Sequence, residues 1–284
     1  MISVKAYAKI NLSLDLVGKR EDGYHLLRSV MQEVSLCDYI TLSRGSEGIT
    51  LRCNKRYIPT DERNIAYRTA KAFFDYTGIT PSVKIYIKKY IPCGAGLGGG
   101  SSDGAAVVDG LCRLYGVNLT AEQKAGICES IGADIPFFFY GGTSLIEGIG
   151  EKVTPVENLP DCRIVIVKPK ASLSTAAIFG SPLTKEAFGG NSTDSVIAGI
   201  NSGNLYRVFE KAENALEGAS CDSCSVIADI KRKFIEQGAL FSMMSGSGSA
   251  VYGVFKNYSG AKKSHNEMKK QFDDTYICKP QFRD

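Results

Sequence analysis

Over 91–106 the chain reads Ile-Pro-Cys-Gly-Ala-Gly-Leu-Gly-Gly-Gly-Ser-Ser-Asp-Gly-Ala-Ala. Five glycines fall within the seven positions 94–100, and two hydroxyls, Ser101 and Ser102, follow them. Backbone without side chains can bring bare N–H groups against a ligand. Ending such a loop at a helix start adds the dipole and unpaired N–H groups of the first turn. A phosphate chain is the natural guest, which points to a nucleotide.

Three kinds of glycine-rich loop compete. Gly94, Gly96 and Gly99 spell a dinucleotide fingerprint, G-x-G-x-x-G. That fingerprint needs a second strand closed by an acidic residue. Here a helix predicted over 102–115 is followed by another over 121–131. A Walker A loop ends in Gly-Lys-Ser/Thr, and no lysine follows these glycines. The protein-kinase loop lies between two strands, whereas this one opens a helix. A phosphate-cradling loop of another type is what remains.

Other residues could do chemistry. Residues 2–16 alternate, with Lys9 and Asn11 on the polar side, so a half-buried strand with a wet face is expected. Ala6 and Ala8 leave room beside it for close approach. Tyr24 and His25 end a polar turn, suited either to stacking on a flat ring or to covering a core edge. Asp134, two residues before Pro136, either caps a short helix or serves as a base. Gly141-Gly142 and Gly148-Ile149-Gly150 add backbone that can run close to a ligand. Ser245-Gly246-Ser247-Gly248 makes a turn whose amides could hold an anion.

The elements that must position these residues change character near 158–161. Before that point strands 2–16 and 83–87 accompany the two helices. Beyond it come strand 163–167, helices including 225–237, strands 240–244 and 250–255, helix 260–272 and strand 275–278. That order, β-α-β-β-α-β with extra helices in the first crossover, is ferredoxin-like. Domains of 1–157 and 158–284 follow.

Composition narrows the class. A net charge of +4 over 284 residues suits an anionic small molecule better than a nucleic acid, which demands a strong basic stripe. No stretch nears twenty apolar residues, and the start lacks a leader, so a cytoplasmic protein without a membrane partner is expected. Of nine cysteines only Cys221 and Cys224 form a C-x-x-C; a zinc site would want a second such pair or nearby histidines, the chain has just His25 and His265, and reduced thiols with an incidental pair in a loop are expected.

Together these features resemble the GHMP kinase superfamily of galacto-, homoserine, mevalonate and phosphomevalonate kinases. The three motifs are Ala6-Tyr7-Ala8-Lys9-Ile10-Asn11-Leu12, the 92–102 loop and Ser245-Gly246-Ser247-Gly248. Gly23-Tyr24-His25, Gly-Ala-Asp-Ile-Pro at 132–136 and Glu147-Gly148-Ile149-Gly150-Glu151 resemble the subgroup acting on a cytidine-diphosphate-linked methylerythritol. The resemblance implies an α+β, two-domain fold. Its N-terminal part would be like ribosomal protein S5 and its C-terminal part ferredoxin-like, with the active site in the cleft between.

The same resemblance implies the site. ATP would lie across Pro92, Cys93, Gly94, Ala95, Gly96, Leu97, Gly98, Gly99, Gly100, Ser101 and Ser102, with Gly246 and Gly248 beside it. Asn64 and Lys89 would meet the adenine. Tyr24 and Phe179 would sandwich the cytosine, and His25 would hydrogen-bond its edge. Asn11, Thr175 and Ile149 would contact the acceptor. Asp134 would be the base and Lys9 its partner. Mg²⁺ is expected with the nucleotide, without a direct protein ligand, in a monomer or weak homodimer. Gly104 stands where the family pattern has alanine, which weakens a helix by about 1 kcal/mol. Cys93 replaces methionine or alanine. Two other readings are a homoserine or mevalonate kinase and a non-catalytic RNA-binding protein.

Overall fold

The computed structural model describes residues 1–282. The elements run β1 (Ile2–Asn11), β2 (Asp15–Lys19), β3 (His25–Arg44), β4 (Gly48–Cys53), α1 (Ile65–Thr77), β5 (Ser82–Lys88), α2 (Gly99–Tyr115), α3 (Ala121–Cys128), α4 (Phe137–Tyr140), β6 (Thr143–Gly148) and β7 (Lys152–Pro155). They continue with β8 (Arg163–Lys168), α5 (Thr175–Gly180), α6 (Pro182–Glu186), α7 (Ser192–Asn201), α8 (Leu205–Phe209), α9 (Glu217–Ser223), α10 (Val226–Glu236), β9 (Phe241–Met244), β10 (Val251–Phe255), α11 (Tyr258–Lys269) and β11 (Asp274–Cys278). Among the described residues no helix is long and apolar enough to cross a membrane.

Two compact units form. One takes Met1–Ala8, Cys37–Ile91 and Gly98–Tyr140; the other takes Lys9–Leu36, Pro92–Leu97 and the chain from Gly141 onward. Strands β1 and β3 give residues to both.

In the first unit β4 runs parallel to β5, and β5 pairs antiparallel with residues 39–44 of β3. Alternation in β5 buries Val83, Ile85 and Ile87 and turns Lys84, Tyr86 and Lys88 to solvent. Helix α1 starts where the Asn64 side chain accepts from Ala66 N–H and stops at Gly78 in the left-handed region (φ 69°). Helix α2 begins at Gly99, three residues ahead of the predicted start, because Gly98 takes a left-handed N-cap conformation (φ 66°). The helix predicted over 121–131 ends at Cys128.

Gly104 has a packing reason. A Cβ there would sit 2.9 Å from Ile65 Cγ2 and 3.0 Å from Thr69 Cγ2, and Thr69 Oγ1 donates to Gly104 O at 3.1 Å. The missing methyl lets α1 and α2 close on each other, so alanine there would strain the contact rather than only firm the helix.

In the second unit residues 25–32 of β3 pair antiparallel with β2 and β6, and β6 pairs with β7. A separate antiparallel sheet has the order β11-β8-β10-β9, the ferredoxin-like arrangement read from the element order. Leu14, Leu16, Val165, Val167, Phe234 and Phe255 belong to its core. Asp15 reaches far along the chain to cap α7. Its Oδ1 accepts from Ser192 Oγ at 2.7 Å, and its Oδ2 accepts from Thr193 N–H at 2.8 Å.

The predicted single strand 2–16 is two, and its wet face is wrong beyond Tyr7. Residues 8–16 are buried without a break. Lys9 and Asn11 are therefore interior groups, and interior polar groups need partners.

Candidate active site

The second unit gathers residues from three distant stretches. Lys9 N–H donates to Leu97 O at 3.0 Å, and Lys9 Nζ donates to Asn11 Oδ1 at 2.7 Å. Asn11 Nδ2 donates to Ser29 Oγ at 2.8 Å, and Tyr252 OH donates to Asn11 O at 2.9 Å. The lysine head is thus aimed, with both ends of its neighbour fixed.

The loop Pro92–Leu97 lies backbone to backbone against the 245–248 turn. Ser245 Oγ donates to Gly96 O at 2.9 Å, and Ala250 N–H donates to Ala95 O at 3.1 Å. A Cβ on Gly96 would fall 2.0 Å from Ser245 O. A Cβ on Gly246 would meet Gly96 O at 3.2 Å and Lys9 Nζ at 3.3 Å. Only glycine fits at Gly96, and at Gly246 (φ 55°) a side chain would be tight and strained. Gly94, Gly96 and Gly248 also take left-handed φ angles of 60°, 72° and 86°.

Two supporting residues have no signal in the sequence. Asn214 Nδ2 donates to Met244 O and Gly246 O at 3.0 and 2.8 Å, bracing the turn. Lys168, buried, donates to Ala171 O at 3.0 Å and Ser172 Oγ at 3.2 Å. Ser172 Oγ would lie 3.5 Å from a Cβ on Gly94. Thr175 Oγ1 and Ser247 Oγ share a hydrogen bond of 2.9 Å.

A ring cluster also belongs to this unit. His25 has Phe179 at 5.3 Å and Phe188 at 5.6 Å between ring centroids. Phe188 was not among the expected residues; it is held where Gly189 N–H donates to Leu16 O at 3.0 Å. Tyr24 stands out at 62% exposure. Burial first, then the Lys19 charge, pushes the imidazole pKa below its ordinary value. Ile149 N–H donates to Glu151 Oε2 at 2.7 Å, fixing the turn after β6.

The first unit holds the rest. Helix α2 has no side chain capping its N-terminus and no acidic residue in its first turn. Its leading N–H groups suit an anion. Asp134 sits in the turn before α4, and that turn lies against α2: a Cβ on Gly132 would be 3.9 Å from Ser101 Oγ. The heads of two expected adenine contacts are engaged. Asn64 caps α1 and donates to Pro59 O at 2.7 Å. Lys89 Nζ holds Asp38 and Asp103 at 2.6 Å each. Among the described residues no three His, Cys, Asp or Glu side chains converge as a metal cage.

Comparison with known proteins identifies the family. The model of the GHMP kinases N terminal domain matches residues 64–142, and that of GHMP kinases C terminal matches 196–274. A 4-diphosphocytidyl-2-C-methyl-D-erythritol kinase of Clostridium novyi (strain NT) is 40% identical over 275 residues, 97% of this chain and 98% of that one. The Clostridium botulinum (strain Alaska E43 / Type E3) protein of the same name is 41% identical over 279 residues, 98% and 99% of the two chains. A crystal structure of 4-(cytidine 5'-diphospho)-2C-methyl-D-erythritol kinase superposes with a TM-score of 0.84 at 28% identity, covering 99% of this chain and 100% of that one.

Proposed function

The chain belongs to the GHMP kinase family, and from that premise we propose that it moves the γ-phosphoryl group of ATP onto the 2-hydroxyl of 4-diphosphocytidyl-2-C-methyl-D-erythritol. This is a step towards isoprenoid precursors that does not pass through mevalonate. One observation carries the reading most. Lys9, the 92–97 loop and the 245–248 turn, far apart in sequence, touch through backbone at Gly96, Leu97 and Gly246. At Gly96 the contact leaves no room for a side chain.

The residue roles are those that the family resemblance implies, and their chemistry is consistent with them. ATP lies across 92–102, its phosphates taken by loop amides and the first turn of α2. Asp134 accepts the proton of the attacking hydroxyl as the new O–P bond forms and ADP leaves. Lys9 supplies a fixed positive charge for the reacting oxygens. The neutral imidazole of His25 can both donate to and accept from a cytosine edge. Phe179 and Tyr24 take the base faces, and Asn11, Thr175 and Ile149 contact the acceptor. With the heads of Asn64 and Lys89 engaged elsewhere, contact with adenine falls to their backbone and stems.

GHMP kinases draw their phosphoryl group from ATP, generally with Mg²⁺. Among the described residues no cage of protein ligands forms; in this reading a magnesium ion would come with the nucleotide, without a direct protein ligand, and would supply charge neutralisation. The division at 157/158, with the reaction between the two domains, belongs to the same reading. A coupled ADP-release assay with the cytidine diphosphate alcohol, homoserine and mevalonate tests it. Turnover should depend on the first alcohol; turnover with either of the others in its place would refute it.

A further inference from the structure

The first turn of α2 is made by Gly98, Gly99 and Gly100 in succession. Ordering glycine backbone costs more entropy than ordering any other residue, of order 1–2 kcal/mol each. The N-cap offers no side-chain acceptor to fix it. Lys89, just beyond β5, does so instead. Its Nζ donates to Gly99 O at 3.0 Å. Two carboxylates aim that ammonium, Asp38 Oδ2 and Asp103 Oδ2, each 2.6 Å away.

The parts fit each other closely. Asp103 follows Gly99 by four residues, so its carboxylate and the Gly99 carbonyl share one helix face. A Cβ on Gly99 would lie 3.1 Å from Lys89 Nζ and 2.8 Å from Ile91 Cγ2, so glycine is what lets the ammonium reach the carbonyl. Asp38 Oδ1 accepts from the N–H groups of Tyr90 and Ile91. Strand β3, the segment after β5 and the start of α2 are thus tied at a single nitrogen.

The charge count is uneven. One ammonium faces two carboxylates, with side chains 5%, 0% and 6% exposed. A second buried anion without its own cation is costly. Asp103 Oδ1 has no hydrogen-bond partner among the described residues. Burial raises the Asp103 carboxyl well above the ordinary carboxylate value; Lys89 opposes the rise and Asp38 adds to it. Burial alone would lower the Lys89 ammonium, but the two carboxylates outweigh it and keep it charged. Cys53, ending β4, also faces the three charges. A proton held on Asp103 balances the group.

We propose that Lys89, aimed by Asp38 and Asp103, is a positioning residue for phosphoryl transfer that acts by fixing the Gly99 carbonyl and with it the amides of the first turn of α2. The proposal rests on the reading of 98–102 as the phosphate site. Removing every charge while keeping shape, as Lys89→Met with Asp38→Asn and Asp103→Asn, tests it.

The folded triple variant should bind a non-hydrolysable ATP analogue at least tenfold more weakly and exchange its 100–102 amides at least tenfold faster. KM for the alcohol should stay within twofold, a split that general loosening would not give. Analogue affinity and exchange both within twofold of the wild type would overturn the proposal. Should the triple variant fail to fold, Asp103→Asn decides. Its kcat/KM for ATP should fall less steeply above neutral pH than that of the wild type, and superimposable profiles would overturn it. A wild type that binds no ATP would sink the functional reading, while the exchange comparison would still judge the clamp.

Discussion

Gly96→Ala strikes the contact between the glycine loop and the 245–248 turn. The new Cβ would sit 2.0 Å from Ser245 O, where ordinary contact begins at 3.4 Å, so backbone must part by about 1.4 Å. Such a shift stretches the 2.9 Å bond from Ser245 Oγ to Gly96 O beyond hydrogen-bond range. It also strains Ala250 N–H to Ala95 O and Lys9 N–H to Leu97 O, now 3.1 and 3.0 Å. The left-handed φ of 72° costs an alanine about 1–2 kcal/mol more. With each lost bond worth about 1 kcal/mol, the total is roughly 2–5 kcal/mol. That is a large part of the ~5–15 kcal/mol of a typical fold, yet short of unfolding it. A loop displaced by over an ångström should also lower turnover about a hundredfold. Urea denaturation gives the first quantity and steady-state ADP release the second. A variant within about 0.5 kcal/mol of the wild type that keeps half its turnover would refute the backbone-contact reasoning.

Asp134→Asn should lower turnover by about 10²–10⁴-fold while analogue binding, followed by calorimetry, stays within threefold; near-normal turnover would remove it as the base. Asp15→Ala should cost about 2–4 kcal/mol in urea denaturation, because the cap of α7 is lost and Ser192 and Thr193 N–H groups are left buried; a loss under 0.5 kcal/mol would contradict this. His25 should titrate below the free-histidine value of about 6.5 in an NMR pH series. Since its folded pKa lies below its unfolded one, the native state binds fewer protons there, and stability should fall as pH drops from about 6.5 through the lower native value. A His25 midpoint above 6.5 would reverse both statements.

Much of the scaffold can be read from local pattern. The alternation of β5 and the glycine loop each lie in one short window, and the ferredoxin-like order is a succession of such locally patterned elements from β8 to β11. Lys9 misleads, because alternation assumes one wet face and residues 8–16 have none. Whether a polar side is covered depends on chain arriving from far away, such as Tyr252, whose hydroxyl reaches the Asn11 carbonyl. Asp15 and Ser192 are 177 residues apart, and no spacing rule pairs them. Lys89 enters the sequence reading only as an adenine contact implied by the family resemblance, and its partners Asp38 and Asp103 come from β3 and α2. Phe188 and Asn214 carry no motif; their positions become meaningful only beside His25 and Gly246.

Mass spectrometry of the alcohol after incubation with enzyme and ATP tests the central claim most directly. The cytidine diphosphate polyol should gain a single phosphoryl group, with one ADP released per product and homoserine and mevalonate left unchanged. An unmodified polyol beside a phosphorylated homoserine or mevalonate would contradict it.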